Sequence, residues 1–280
     1  MSSKPLYRES RINLKGLNFF YLDSKSGDKT VLCLHGRWGR GKTWLGFMER
    51  YQDRYRIIAP DQRGHGLSDK PLTGYKAEDL AGDAYELIMR LGCAPVIVVG
   101  HSMGGRIAGY LTALYPQVVK ALAVLDETTE GDPDSAVRPI EEVPTVDEFT
   151  ADWPTPYATY EEAISDLRQR FPRETNLHYF RDSLTETPQG YDFLFSRQAM
   201  AALAHYNRDW HHLLPRISCP TLLVRAVDSW CLSKEAADRM VSIIPDVTYF
   251  EVPDSDHMVY VDNDDAFYPP FEQFLKRVTW

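Results

Sequence analysis

The sequence predicts an α/β fold, a mostly parallel sheet covered by helices on both faces, with an inserted helical cap. Short apolar runs bounded by turn residues recur at 31–34, 55–59, 96–99, 121–125, 221–227 and 247–252, and they read as strands. Between several of them lie amphipathic stretches of helix length, at 77–91, 103–115 and 233–244. The alternation fails from Glu127 to about residue 216, where acidic, Pro-rich sequence (GDPDSAVRPIEEVPTVDEFTADWPTP) gives way to helical segments at 160–170 and 196–205. The expected division is therefore a core of 1–127 and 216–280 with a cap, or lid, at 128–215. An insertion after a strand's carboxyl end lies over the crevice where open α/β sheets bind ligands.

Composition narrows the function classes. With 280 residues, 44% hydrophobic and 25% charged, the chain can bury a sizeable core. Its 31 Lys+Arg against 40 Asp+Glu give a net charge of −9, which argues against a nucleic-acid partner. The opening residues MSSKPLYRESRINLKG hold no apolar leader core, and no stretch approaches a membrane span, so the expectation is a cytoplasmic protein with no membrane partner. Cys33, Cys93, Cys219 and Cys231 lie far apart without a C-x-x-C pair and read as free thiols, neither disulfides nor a metal site. Oligomeric state is not legible.

The chemistry concentrates in residues 95–105, PVIVVGHSMGG, where an apolar β-branched run breaks into G-x-S-x-G, the pattern of a nucleophile elbow. A serine hydroxyl attacks poorly unless a tight strand-to-helix turn holds it beside a base and near backbone N–H donors. Gly100, Gly104 and Gly105 suit such a turn, and Ser102 is the candidate nucleophile.

The loop after the first core strand, LHGRWGRGKTW, satisfies two motifs. Residues 36–43 fit G-x-x-x-x-G-K-[ST], the phosphate-cradling P-loop, and AVLDE at 123–127 could pass for a strand ending in a magnesium-binding acid. The same loop reads His35-Gly36-x-x-Gly39-x-x-x-x-Trp44, similar to the oxyanion loop of serine hydrolases built on an α/β sheet. That reading assigns the oxyanion donors to the backbone N–H groups of Arg37 and Met103. A nucleotide hydrolase leaves GHSMGG and two late residues unexplained: Asp228, ending TLLVRAVD, and His257, in the loop PDSDHM after VTYFEV.

With its nucleophile, acid and histidine in the order Ser, Asp, His, the chain resembles the α/β-hydrolase family across nearly its full length. DQRGHGLSD, at 61–69, matches a turn of the epoxide-hydrolase and haloperoxidase-like branch. Dehalogenases and epoxide hydrolases of that branch carry an aspartate at the elbow. Ser102 implies ester, lactone, amide or carbon–carbon hydrolysis instead. In the same loop Arg63, His65 and Asp69 read as structural ties, and His101 as a packed neighbour of the nucleophile. Around the late acid the sequence Ala226-Val227-Asp228-Ser229-Trp230 departs from the frequent Gly-x-x-Asp. Asp126, an acid position used by some relatives, is thus the alternative to the assigned Asp228.

The resemblance implies a two-step reaction through an acyl-enzyme on Ser102, with no metal and no cofactor. Candidate substrate-binding residues are Trp38, Arg138, Trp153, Arg168, Arg170 and Trp230, with Arg106 following the elbow. Arginines over such a site would clamp a carboxylate bidentately. SMGGR, DQRGHGLSDKP and the cap arginines also resemble hydrolases of small dicarboxylic ring-degradation intermediates and the menaquinone-pathway enzyme acting on a carboxylated cyclohexene. The expected partner is a small-molecule substrate. A cofactor-free perhydrolase, a slow-turnover small-molecule receptor and the P-loop nucleotide hydrolase remain alternatives.

Overall fold

The computed structural model describes residues 6–131 and 140–280. Arg138, one of the candidate substrate arginines, lies outside them.

The chain opens with a hairpin of β1 (Arg8–Leu14) and β2 (Leu17–Asp23), joined by Lys15 and Gly16 alone. Both carry positive φ, 51° and 91°, as a two-residue hairpin turn matched to strand twist requires. Then follow β3 (Thr30–Leu34), α1 (Leu45–Tyr51), β4 (Arg56–Pro60), α2 (Ala77–Leu91), β5 (Val96–His101), α3 (Met103–Leu114) and β6 (Val119–Leu125). The connection after β6 holds α4 (Tyr160–Arg170), α5 (Glu174–Arg181), a separate hairpin of β7 (Leu184–Thr187) and β8 (Gly190–Phe193), and α6 (Arg197–His205). The chain closes with β9 (Thr221–Ala226), α7 (Lys234–Ile243), β10 (Val247–Val252), α8 (Val259–Asp262) and α9 (Asp264–Arg277).

Eight strands form one sheet in the order β1-β2-β4-β3-β5-β6-β9-β10, parallel from β4 onward. β3 and β5 are buried at every residue, which is why they read as unbroken apolar runs with no alternation. Register decides the rest. Leu34 and Val124 both pair with Gly100, so the chains leaving β3, β5 and β6 emerge side by side at one edge. None of the described elements between β6 and β9 joins this sheet. They rest on the loops at its carboxyl edge: the Ser183 hydroxyl donates to the Trp38 carbonyl at 2.9 Å, and the Ser196 N–H to the Gly64 carbonyl at 2.8 Å. Among the described residues no helix is long and apolar enough to cross a membrane.

The DQRGHG loop is structural, as the sequence suggests. Asp61, fully buried, accepts hydrogen bonds from the Gly41 N–H (2.7 Å), the Leu67 N–H (2.8 Å) and Arg40 (3.2 Å). Arg63 forks onto Asp83, and Asp69 accepts from the Asn18 N–H at 2.8 Å. This also disposes of the P-loop geometry. The Gly41 N–H that a phosphate would need is held by Asp61, and the Thr43 hydroxyl is turned onto the Arg40 carbonyl at 2.9 Å.

Replacing Asp61 with Ala leaves two buried N–H groups and a buried guanidinium without their acceptor. Asp61→Ala is expected to lower unfolding stability by about 3–5 kcal/mol, the range for breaking a buried ion pair from one side. A urea titration showing less than about 1 kcal/mol would refute this account of the loop.

Candidate active site

Ser102 follows β5 and caps α3 with φ 52° and ψ −128°, a strained region for a residue with a Cβ. The turn is possible because its neighbours are glycines. A Cβ on Gly100 would collide with the Gly104 carbonyl, and one on Gly104 with the carbonyl of Leu34. The loop after β3 lies against the same turn: a Cβ at Gly36 would stand 3.1 Å from that of Ser102. Met103 is the first residue of α3, where a helix leaves its N–H without an internal partner. Arg37 sits in a turn closed by the Gly39 N–H on the Gly36 carbonyl (3.2 Å), and it lines the same cavities as Ser102.

His257 Nδ1 lies 2.7 Å from Asp126 Oδ2. The other Asp126 oxygen accepts from the Ala226 N–H at 2.8 Å, and the Ser229 hydroxyl donates to Oδ2 at 2.7 Å. The acid beside the histidine is therefore Asp126, at the end of β6, in place of the expected Asp228. The physical reason is the length of β9. Its last residue is Ala226, so Val227 and Asp228 are already in an exposed turn, and what this turn returns to the site is the Ser229 hydroxyl. Burial pushes Asp126 up to about 6, against the pull of the Ala226 N–H and the Ser229 hydroxyl. Burial likewise pushes His257 down to about 4, so its ring is neutral at pH 7. His101, fully enclosed, places Nε2 3.0 Å from the His257 carbonyl and its ring 4.5 Å from the His257 ring, which makes it a packing neighbour and not the base.

Ser102 opens onto two chambers. One, about 350 Å³, is walled by Trp38, Phe149, Phe171, Tyr179 and Phe180, with His257 and Trp230 beside the serine. The other, about 140 Å³, runs past Arg106, Glu127, Asn207 and Cys231. Trp38 and Trp230 thus sit where the sequence puts substrate-binding residues. Arg168, Arg170 and Trp153 do not. Arg170 is tied to Asp152 (3.0 Å) and Asp166 (2.8 Å) and covers the Trp153 ring at 5.5 Å. Trp153 is spent on Phe180 and Phe193, 5.2 and 5.0 Å away. Arg168 is exposed on an outer groove of α4 with Tyr160 and Glu161. Periodicity could not show which face of α4 turns outward.

Among the described residues, the arginines that line these chambers are Arg37 and Arg106, from the loop after β3 and from α3. The sequence signal for Arg37 was its place two residues after His35, valued for its backbone and not its side chain. Among the described residues no group of three or more His, Cys, Asp or Glu is placed to hold a metal ion.

A parallel sheet with a strained serine at the end of β5, facing a histidine that follows the last strand, defines an α/β-hydrolase architecture. The chain belongs to that family: the family model described as alpha/beta hydrolase fold matches residues 29–264. Among relatives, it is 30% identical over 244 residues to 2-(acetamidomethylene)succinate hydrolase of Mesorhizobium japonicum, covering 84% of each chain. It is 35% identical over 126 residues to a soluble epoxide hydrolase of Corynebacterium sp., covering 45% of this chain and 43% of that one. The solved structure of E-2-(acetamidomethylene)succinate hydrolase superposes with a TM-score of 0.82 at 26% identity, covering 96% of this chain and 99% of the other.

The buried histidines also set an acid limit on stability. Burial holds His35 and His257 at about 4 and His101 at about 3, and pushes His65 well below its ordinary value. Unfolded, each takes a proton near about 6.5, so the unfolded chain binds more protons once pH drops below that value. Asp126, Asp83, Glu127 and Asp182 act oppositely, since burial makes their folded carboxyls protonate before unfolded ones, and they offset part of the histidine effect. Stability is expected to be full above about pH 6.5 and to fall as pH drops, by up to about 1.4 kcal/mol per pH unit for each net proton. Denaturant titrations at about pH 7 and about pH 5 check it; equal stabilities at the two would contradict the burial of these rings.

Proposed function

We propose that this hydrolase is a serine hydrolase that cleaves an acyl bond, ester, lactone or amide, of a small carboxylate-bearing molecule through an acyl-enzyme on Ser102. The observation that carries the reading is the 2.7 Å contact of His257 with Asp126, with Ser102 on its strained turn in the same cavity. Asp126 fixes the tautomer, so that the proton sits on Nδ1 and Nε2 is free to accept from the Ser102 hydroxyl. As the hydroxyl attacks, the charge developing on the carbonyl oxygen is met by the Arg37 and Met103 N–H groups. His257 then returns its proton to the leaving group and activates the water that hydrolyses the acyl-enzyme. The 128–215 segment acts as the lid that keeps other water out. The relative named for an acetamido-substituted succinate supports an amide on a carboxylate-bearing molecule as the substrate type.

A fluorophosphonate probe is expected to label the protein at Ser102, and Ser102→Ala to abolish both labelling and turnover. Labelling that persists in the alanine variant removes Ser102 from the mechanism. Asp126→Asn is expected to cost around 10⁴ in turnover by favouring the wrong tautomer, whereas Asp228→Asn stays near wild type. The reverse ranking would restore Asp228 as the acid.

The rate of acylation should rise with pH along one limb, since only a neutral imidazole accepts the proton. Because burial lowers His257 to about 4 and raises Asp126 to about 6, that limb is expected below the ordinary histidine value of about 6.5. It belongs to the pair, whose members share one proton at 2.7 Å. A kcat/KM profile with its midpoint above about 7 would be incompatible with a buried, desolvated base.

A further inference from the structure

Resting on the serine-hydrolase reading, we infer that the substrate is an aryl or similarly flat apolar carboxylate, its carboxylate held by the Arg37 guanidinium and its apolar arm lying in the aromatic chamber.

Among the described residues two arginines line the chambers, and they differ in what they hold. Arg106 is committed to Glu127, with Nε and Nη2 3.0 and 2.8 Å from one carboxylate oxygen. No carboxylate among the described residues comes within 4.0 Å of Arg37. Its guanidinium lies over the Trp38 ring, 4.0 Å from the centroid, which orients the planar fork without neutralising it. Asp147 and Glu127 pull on Arg37 from farther away, but Asp147 is held by the Thr150 hydroxyl and Glu127 by Arg106 and Cys231. Burial lowers the Arg37 pKa, yet a guanidinium remains charged at any working pH. A half-buried cation with no described carboxylate in hydrogen-bond range is costly, and a ligand carboxylate accepting both arms of the fork removes that cost. Arg37 and Ser102 are walls of both chambers, so an anion seated there lies at their junction, next to the reacting carbonyl.

The larger chamber states what else the molecule carries. At about 350 Å³ it matches the lower range of small-molecule sites. Phe171 stacks on Phe180 at 4.3 Å, and Trp38 lies 4.4 Å from Phe149, so flat faces line the space. Phe149 is 44% exposed, a large ring left uncovered beside the chamber. A planar apolar arm would cover it and gain ring–ring contact beyond simple burial. Away from the reacting groups its polar wall atoms are the Asn176 amide and the Tyr179 hydroxyl, which already donates to the Arg37 carbonyl, so this chamber suits the apolar arm.

The test separates recognition from chemistry. Ser102→Ala protein is titrated calorimetrically with 3-phenylpropionate, its methyl ester and propionate. 3-Phenylpropionate is expected to bind roughly 10- to 100-fold more tightly than its methyl ester, the range for a hydrogen-bonded charged group, and more tightly than propionate. Adding Arg37→Met or Arg37→Gln should bring the acid-to-ester ratio to about one, with partial recovery in Arg37→Lys. Equal binding of acid and ester by Ser102→Ala protein overturns the inference, as does a preference that survives both Arg37 substitutions. Propionate binding as tightly as 3-phenylpropionate overturns the apolar arm. Fluorophosphonate labelling of wild-type protein reports separately on the serine chemistry. Labelling with no acid preference sinks the subsite alone, and an Arg37-dependent preference without labelling sinks the chemistry alone.

Discussion

The site depends on how closely α3 approaches the ends of β3 and β5. Gly100 and Gly104 let the first turn of the helix touch the backbone of both strands, where any side chain would collide. That contact goes with the positive φ of Ser102 and sets the first N–H of α3 beside the loop after β3. Strain of this kind costs on the order of 1–3 kcal/mol and persists only where surrounding structure over-determines it. Here the buried strands β3 and β5 do so, which ties the stability of the sheet to the geometry of the Ser102 turn.

Register carries the constraint to the other reacting groups. Gly100 pairs with both Leu34 and Val124, and Leu125 with Val224. The residues just beyond these pairs are consequently assembled at one edge without any element having to bend toward another. Asp126 is buried by that geometry and held by groups from the end of β9 and the turn after it. Its carboxylate is oriented before any ligand arrives, which keeps reorganisation during the reaction small.

The parallel core was legible in the sequence because buried parallel strands carry a strong, unbroken apolar signal, and Ser102 and His257 were legible because glycine spacing and chain order are local features. The hairpin of β1 and β2 was not, since its outer strand is largely exposed and its turn, Lys15-Gly16, is a weak punctuator. Helix α9 was hidden by Pro269 and Pro270, which read as breakers although Phe267, Phe271 and Phe274 bury one face. The acid was misplaced because Val227 reads as one more residue of β9; it is 42% exposed, and the strand has already ended. Two acids at the ends of adjacent strands differ by which one the histidine reaches, and this is a property of the sheet, not of the chain. The arginines show the same limit: pattern places Arg168 and Arg170 on a helix, but only packing reveals that one faces water and the other is already paired.

Helix α5 and Ser183, two residues beyond its end, are fastened to the loop that follows β3. Tyr179 donates to the Arg37 carbonyl at 3.1 Å, and Ser183 to the carbonyl of Trp38. These carbonyls belong to the short stretch of backbone that faces the serine. Moving α5 outward would strain both bonds and disturb that stretch, so this helix and one wall of the cavity form a single mechanical part. Any displacement of α5 is therefore also a displacement of the cavity wall beside Ser102.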